Sequence, residues 1–277
     1  MSLKGVAQET LEILEQGFYT NPSSQRRDIG AALSQAKQGT KLFTPEELAR
    51  LMADAPEPSS TSLPEITVTD ERTQEAARRL VQDEGIAGLV MLNFASARNA
   101  GGGFINGAKA QEEDLSRCSG LYPCLLEQPA YYSRNRKQDS MLYTDHIIYS
   151  PGVPFFRERS RSLLEEPYDA AVITAPAPNA GQYLRRSQSL DYAPIEEALR
   201  RRAGYVLLVA AHMGHRDLLL GAWGCGVFQN KPAVVADAFG AWLESDRFAG
   251  AFDSVCFAIY DRARVQRTLT SFRQRFP

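Results

Sequence analysis

Asn99-Ala100-Gly101-Gly102-Gly103, followed after a seven-residue spacer by Gln111-Glu112-Glu113, is the stretch from which the rest of this chain is read. Consecutive glycines have no side chains to pack and give up the most backbone freedom on folding. A globular chain keeps them where something must approach the backbone closely. The apolar run Leu89-Val90-Met91-Leu92-Asn93-Phe94 ends just before them and reads as a buried strand. A helix-forming segment carrying the two carboxylates follows. A strand, a glycine loop and then an acidic helix start form a ligand site at the carboxyl end of a strand in an α/β protein.

Outward from that stretch the pattern alternates. Strands are expected over Ile66–Thr69, His146–Tyr149, Ala170–Thr174, Asp217–Trp223 and Val255–Tyr260. Helices are expected over Thr73–Asp83, over Gln111–Leu126 with breaks at Gly120 and Pro123, and over Pro194–Arg202, Ala233–Leu243 and Val265–Phe272. Tyr205–Ala211 fits either a buried strand or a continued helix. This alternation predicts an α/β/α sandwich around a mixed central sheet. Before it, Leu11, Leu14 and Phe18 fall at helical spacing, and a second helix is expected over Arg27–Gln38. Thr44-Pro45-Glu46-Glu47 starts a third with a capping box. The polar, proline-containing segment 55–62 reads as a linker. The expected division is a helical extension with linker over 1–62 and the α/β domain over 63–277.

Bulk properties narrow the function classes. The 277 residues, 44% hydrophobic and 23% charged, suffice for a core without disulfides. A net charge of -2 provides no global basic field for nucleic acid. No apolar run approaches the length of a membrane span, and the N-terminus lacks the apolar region of a signal peptide. Cys118, Cys124, Cys225 and Cys256 form no Cys-x-x-Cys pair, and the three histidines add no zinc-site spacing. A reducing cytoplasm is the expected compartment. His212 and His215 read as structural or surface residues.

Several stretches together resemble the microbial branch of the poly(ADP-ribose) glycohydrolases. The triple glycine with Gln111-Glu112-Glu113 matches that family's signature. Gln8–Gly17, Leu92–Ala97, Tyr149–Pro154, Thr174–Asn179 and Gly221–Phe228 are also similar, so the resemblance spans nearly the whole chain. It implies a macrodomain-like fold with an N-terminal helical extension. The implied activity is hydrolysis of the ribose–ribose O-glycosidic bond of poly(ADP-ribose), mainly from the chain end, releasing ADP-ribose without metal or cofactor. The implied partners are poly(ADP-ribose) and ADP-ribose, with no direct DNA binding, no membrane and a monomeric state. The implied setting is the cytoplasm and the DNA damage response.

The resemblance also distributes roles. It makes Glu113 the general acid and gives Glu112 and Asn99 the distal ribose hydroxyls. Gly101, Gly102, Gly103 and Gln111 join the substrate-binding set. Gly224, Cys225, Gly226 and Val227 wrap the diphosphate, and Phe228 packs on the distal ribose. A proton donor near neutral pH needs its pKa raised by burial or like charge, and Glu112 and Asp114 flank Glu113. Adjacent helical residues point about 100° apart, so the two glutamates are not expected to aim at one atom.

Read from the residues alone, each feature keeps an alternative. The first glycine loop also fits a tight strand-to-helix turn, and the second a turn with a core Phe. Glu112-Glu113-Asp114 also fits an acidic cluster favoured by the helix dipole, and Asn99 a turn former. Tyr131-Tyr132 and Ser133-Arg134-Asn135-Arg136 fit either a site beside adenine or an acidic polymer, or an exposed basic loop. For the whole chain the alternatives are a non-catalytic ADP-ribose-binding macrodomain and a mono-ADP-ribosyl hydrolase.

Overall fold

The computed structural model describes residues 2–54, 61–158 and 162–277. Most of the expected linker, residues 55–60, lies outside these. A seven-stranded sheet runs in the order β3 (Lys41–Phe43), β6 (Ile147–Arg157), β7 (Leu163–Ala175), β5 (Val90–Phe94), β8 (Asp217–Gly221), β9 (Ser254–Ala258) and β4 (Glu65–Thr69). The pairings β4–β9, β9–β8, β8–β5 and β5–β7 are parallel, whereas β6 is antiparallel to both β7 and β3. The sheet is therefore mixed, as expected.

Both faces are covered, which is why the central strands read as continuous apolar runs. Side chains alternate across the sheet. On one face Val90, Leu92, Leu218, Leu220, Val255 and Phe257 pack with helices α9 (Ala193–His212), α10 (Pro232–Leu243) and α11 (Arg267–Arg275). On the other, Met91, Val172, Leu219 and Cys256 pack with α4 (Thr73–Arg78), α5 (Gln111–Cys118), α6 (Leu121–Leu126) and α7 (Pro129–Arg136). The chain thus has the α/β/α architecture of a macrodomain-like fold.

The ambiguous run Tyr205–Ala211 continues α9, whose 20 residues include Gly204. A Cβ there would lie 2.6 Å from the Trp242 ring, so this glycine serves close helix packing and does not end the helix. The expected helix 111–126 breaks at Ser119-Gly120, while Pro123 sits inside the first turns of α6, where its missing N–H costs little. Phe18 and Arg27, expected in helices, belong instead to a small hairpin of β1 (Phe18–Thr20) and β2 (Arg26–Asp28). The last residues before the linker form α3 (Pro45–Asp54), with the reciprocal Thr44–Glu47 capping bonds in place.

The N-terminal segment is integrated with the rest. It supplies the edge strand β3, and α1 (Leu3–Gln16) bonds α5 through Thr10 Oγ1, which donates to the Arg117 carbonyl at 2.7 Å. Helix α1 also lies against the spacer between the two halves of the signature: a Cβ on Gly107 would meet the Lys4 nitrogen at 3.4 Å.

Candidate active site

Strands β7, β5 and β8 are neighbours and parallel, so the loops that follow them leave the sheet at one edge. That edge is where ligands bind in open α/β sheets. The loop after β5 holds the triple glycine, the loop after β8 holds Gly224–Phe228, and the loop after β7 joins them.

The first loop is shaped by its glycines. Gly101 and Gly102 adopt φ of 64° and 58°, a left-handed conformation that side chains disfavour. The Gly102 N–H donates to the Asn99 carbonyl at 3.0 Å, and the Asn99 N–H to Ser96 Oγ at 3.1 Å. The Asn99 side chain is exposed at the rim. A Cβ on Gly102 would collide with the Glu113 carboxylate and lie 3.2 Å from Glu112 Oε2. Both glutamates therefore converge on Gly102, contrary to the expected divergence. Convergence is possible because each carboxylate is drawn to a different backbone donor. Glu112 Oε2 accepts the Ser96 N–H at 2.7 Å, and Glu113 Oε1 accepts the Gly103 N–H at 3.0 Å.

Their environments differ. Glu112 is 2% exposed, and burial pushes its carboxyl up to about 8, with the Glu113 charge adding to the push against the Ser96 and Asn93 donors. Glu113 is only partly covered and faces the loop. Asp114, expected to press on Glu113, pairs instead with Arg117 at 2.6 Å and Arg72 at 3.4 Å.

Asn93 and Thr174 hold Glu112. They are register partners across β5 and β7, and both are buried. Asn93 Nδ2 donates to Glu112 Oε1 and to Thr174 Oγ1, each at 3.2 Å. The sequence reading missed both. The signal was present: Asn93 is a polar residue inside an apolar strand, and a buried amide needs a partner. Gln111, expected to touch substrate, has both ends of its amide engaged by the protein. It accepts from the Phe94 N–H at 2.8 Å and donates to the Leu92 carbonyl at 2.8 Å and to Thr73 Oγ1 at 3.2 Å. It clips the start of α5 to the end of β5.

The second loop is anchored from beneath. Trp223 Nε1 donates to the Ala175 carbonyl at 3.1 Å, and Asn230 Nδ2 to the Pro178 carbonyl at 2.9 Å. Gly224, at φ 71°, packs where a Cβ would strike Asn230 and Ala177. Among the described residues, the N–H groups of Gly224, Gly226, Val227 and Phe228 meet no protein acceptor. Successive free N–H groups of this kind form a cradle for an anion. Cys225 is partly buried and its thiol is free. Val227 is 81% exposed, and Phe228 is half-buried with its ring centroid 6.0 Å from that of Tyr143. The Gly181 N–H donates to the Phe228 carbonyl at 3.0 Å, joining this loop to helix α8 (Ala180–Ser187).

Other expectations fall outside the site. Tyr131 and Tyr132 are buried core residues of α7, and Arg134 and Arg136 stand exposed on that helix, not on a loop. His215 is structural, bonded to the Tyr149 hydroxyl at 2.8 Å and the Gly88 carbonyl at 2.7 Å. A cavity of about 500 Å³ lined by Glu71, Gln74, Arg79 and Tyr168 includes no residue of either glycine loop. Among the described residues, no cluster of potential metal ligands occurs and no helix is long and apolar enough to cross a membrane.

The sheet order, the paired glycine loops and the converging carboxylates define a macrodomain-like ligand site equipped with acidic groups. The family microbial-type PARG, catalytic domain, matches residues 7–158, and the chain belongs to that family. The poly(ADP-ribose) glycohydrolase of Thermomonospora curvata is 47% identical, with 99% of each chain covered and a TM-score of 0.92. The same enzyme bound to the inhibitor ADP-HPD matches at 46% identity, with 99% of each chain covered and a TM-score of 0.89. The enzyme of Deinococcus radiodurans in complex with ADP-ribose is 47% identical, with a TM-score of 0.80 over 90% of this chain and 98% of that one. A search among curated proteins gave no match.

Proposed function

We infer that this chain hydrolyses the ribose–ribose O-glycosidic bond of poly(ADP-ribose) and releases ADP-ribose, with Glu113 as general acid. The observation that carries this is the pair of converging carboxylates over Gly102, one buried and tied, the other partly open. Glycosidic cleavage needs a proton for the leaving oxygen and stabilisation of an oxocarbenium-like centre. Glu113 has the freer carboxyl. Its proton passes to the leaving ribose oxygen as the bond to the anomeric carbon breaks. Water then adds its oxygen to that carbon and returns a proton to Glu113. Glu112, fixed by Asn93 and Ser96, is suited to hold the distal ribose hydroxyls together with Asn99. The free N–H groups of Gly224, Gly226, Val227 and Phe228 suit the diphosphate, whose charge also helps to stabilise the developing cation.

The reading extends to attack from the chain end, to action as a monomer and to a cytoplasmic setting in the DNA damage response, to which four unpaired cysteines are suited. Early digestion of long polymer should yield ADP-ribose; early accumulation of oligomers would contradict chain-end attack. The acid assignment is tested by following free ADP-ribose from polymer with wild type and Glu113→Gln, and measuring ADP-ribose affinity separately. A loss of at least about 100-fold with affinity kept supports it. Wild type that binds ADP-ribose tightly and releases none from polymer would make the chain a reader.

One observation favours a second assignment. Glu112 is the carboxyl that burial keeps protonated near neutral pH. If Glu112 is the donor, Glu112→Gln will abolish turnover while Glu113→Gln keeps it.

A further inference from the structure

The inferred activity leaves a problem of charge. On that reading the site holds one ADP-ribose unit, yet the substrate continues beyond the scissile bond as a polyanion, and the net charge of the chain is -2. Polyanion binding needs local cations.

A basic wall stands beside the site. Helix α7 ends in Arg136, followed by Lys137, and α8 carries Arg185-Arg186 in its last turn. All four are exposed, and among the described residues none pairs with a carboxylate. The two helix ends are bonded to each other and to the site. Arg136 Nη1 donates to the carbonyl of Arg98, next to Asn99, at 2.6 Å. Arg186 Nη1 reaches the Asp139 carbonyl at 3.4 Å, and the Asn179 N–H donates to the Met141 carbonyl at 2.8 Å. Helix α8 starts at the loop carrying Phe228, through the Gly181 bond given above. The wall is thus continuous with the rim of both glycine loops. Asp139 is the one acidic residue among these contacts.

The geometry points to a second polymer-binding surface: Arg136, Lys137, Arg185 and Arg186 hold the diphosphates of poly(ADP-ribose) units on the leaving side of the scissile bond. This rests on the glycohydrolase reading. The wall meets the site at Asn99, the end given to the distal ribose, whose anomeric carbon carries the rest of the chain. Each further unit brings another diphosphate, so cations spaced along two helix ends match the ligand better than a single pocket does. Exposed cations of this kind raise capture rate and salt dependence more than they fix geometry.

The test is the triple variant Lys137→Glu, Arg185→Glu, Arg186→Glu, which leaves the Arg136–Arg98 bond intact. Turnover is followed on long polymer and on the ADP-ribose dimer at several salt concentrations, with ADP-ribose affinity measured alongside. The expected result is a roughly tenfold fall in the long-to-dimer ratio of kcat/KM, a salt slope on long polymer lowered by about two, and unchanged ADP-ribose affinity. The neutral Gln triple variant should give a smaller fall in the same direction, which separates charge from misfolding. An unchanged ratio and slope would overturn the proposal. So would an equal loss of affinity for single-stranded RNA, which would make the wall a general polyanion patch. Wild type inactive on both the dimer and long polymer would instead sink the glycohydrolase reading. In that event, long-polymer affinity of the wild type against the triple variant still decides the wall.

Discussion

Glu112 and Glu113 adjoin in sequence and converge beside Gly102, yet each carboxylate answers to a different backbone donor. Glu112 Oε2 takes the Ser96 N–H at 2.7 Å inside the fold, while Glu113 Oε1 takes the Gly103 N–H at 3.0 Å on the open side. On the proposed reading this split suits Glu112 to binding and Glu113 to proton transfer, because a tied group reorients poorly and a more open one can follow the leaving oxygen. It also makes the pair's pH behaviour separable.

Glu112 is raised by burial to about 8 from an ordinary glutamate value near 4.5. A carboxyl raised on folding binds its proton more tightly in the folded state. Its stabilising contribution is complete below about 4.5 and is lost as pH rises through about 8. Glu112→Gln removes that loss because the amide never ionises. The Tm difference, variant minus wild type, should therefore rise between pH 5 and pH 9, by roughly 3 °C or more. Any fixed cost of an amide facing the Ser96 donor is the same at both pH values and cancels. A difference flat across this range would show that Glu112 is ionised throughout.

Gly102 links backbone shape to chemistry. At φ 58° it is in the left-handed region, and the space a Cβ would take belongs to the Glu113 carboxylate. Gly102→Ala should lower kcat at least about tenfold by displacing the Glu113 carboxylate, and cost roughly 1–2 kcal/mol of stability. Turnover and thermal unfolding measured on one preparation check both. Unaltered kcat would mean that Glu113 does not need its present position.

Much of this site was legible because it is local. The apolar run of β5, the glycines and the acidic start of α5 lie within 24 residues, and their patterning alone orders strand, loop and helix. What escaped is set by distant partners. Strands β1, β2 and β3 have three residues each, too few to show a period. Helix α7 read as either a site segment or an exposed basic loop because its buried side, Tyr131, Tyr132 and Asn135, is too short to show a helical period. The Asn93–Thr174 contact that orients Glu112 arises from strand register across 81 residues. Arg202 is fully buried because Asp145, 57 residues away, comes within 2.9 Å of it. No reading of Arg200-Arg201-Arg202 alone distinguishes that member of the run.

Arg202 supports the site from below. Besides Asp145, it donates to the carbonyls of Pro176 and Leu142, fixing the loop after β7 on which Trp223 and Asn230 anchor the second glycine loop. Removing one partner of a buried pair costs about 3–5 kcal/mol where the other charge is left uncompensated; here Arg201 still pairs with Asp145 at 2.7 Å, so the cost falls below that range. Arg202→Met should therefore unfold at lower denaturant, and the surviving fold should bind ADP-ribose more weakly. Arg202→Met with Asp145→Asn should recover part of the stability and less of the affinity, since the carbonyls of Pro176 and Leu142 remain without their donor. Equal recovery of both would mean that Arg202 acts on the site only through the charge of Asp145.

Gln111 makes the sharpest claim about a signature residue. Its amide is bonded to Phe94, Leu92 and Thr73, so its role in the free protein is to clip α5 to β5 and thereby aim both glutamates. Gln111→Glu is nearly isosteric and keeps the acceptor for the Phe94 N–H. It loses the donor to the Leu92 carbonyl and sets an anion against that oxygen, which costs roughly 1–3 kcal/mol. A clip predicts that stability and kcat fall together while KM changes little, because the groups that touch substrate remain. A substrate ligand predicts the reverse: a raised KM with the unfolding midpoint unmoved. Steady-state kinetics and denaturant unfolding on the single variant separate the two, and a raised KM with full stability would return Gln111 to the substrate-binding set.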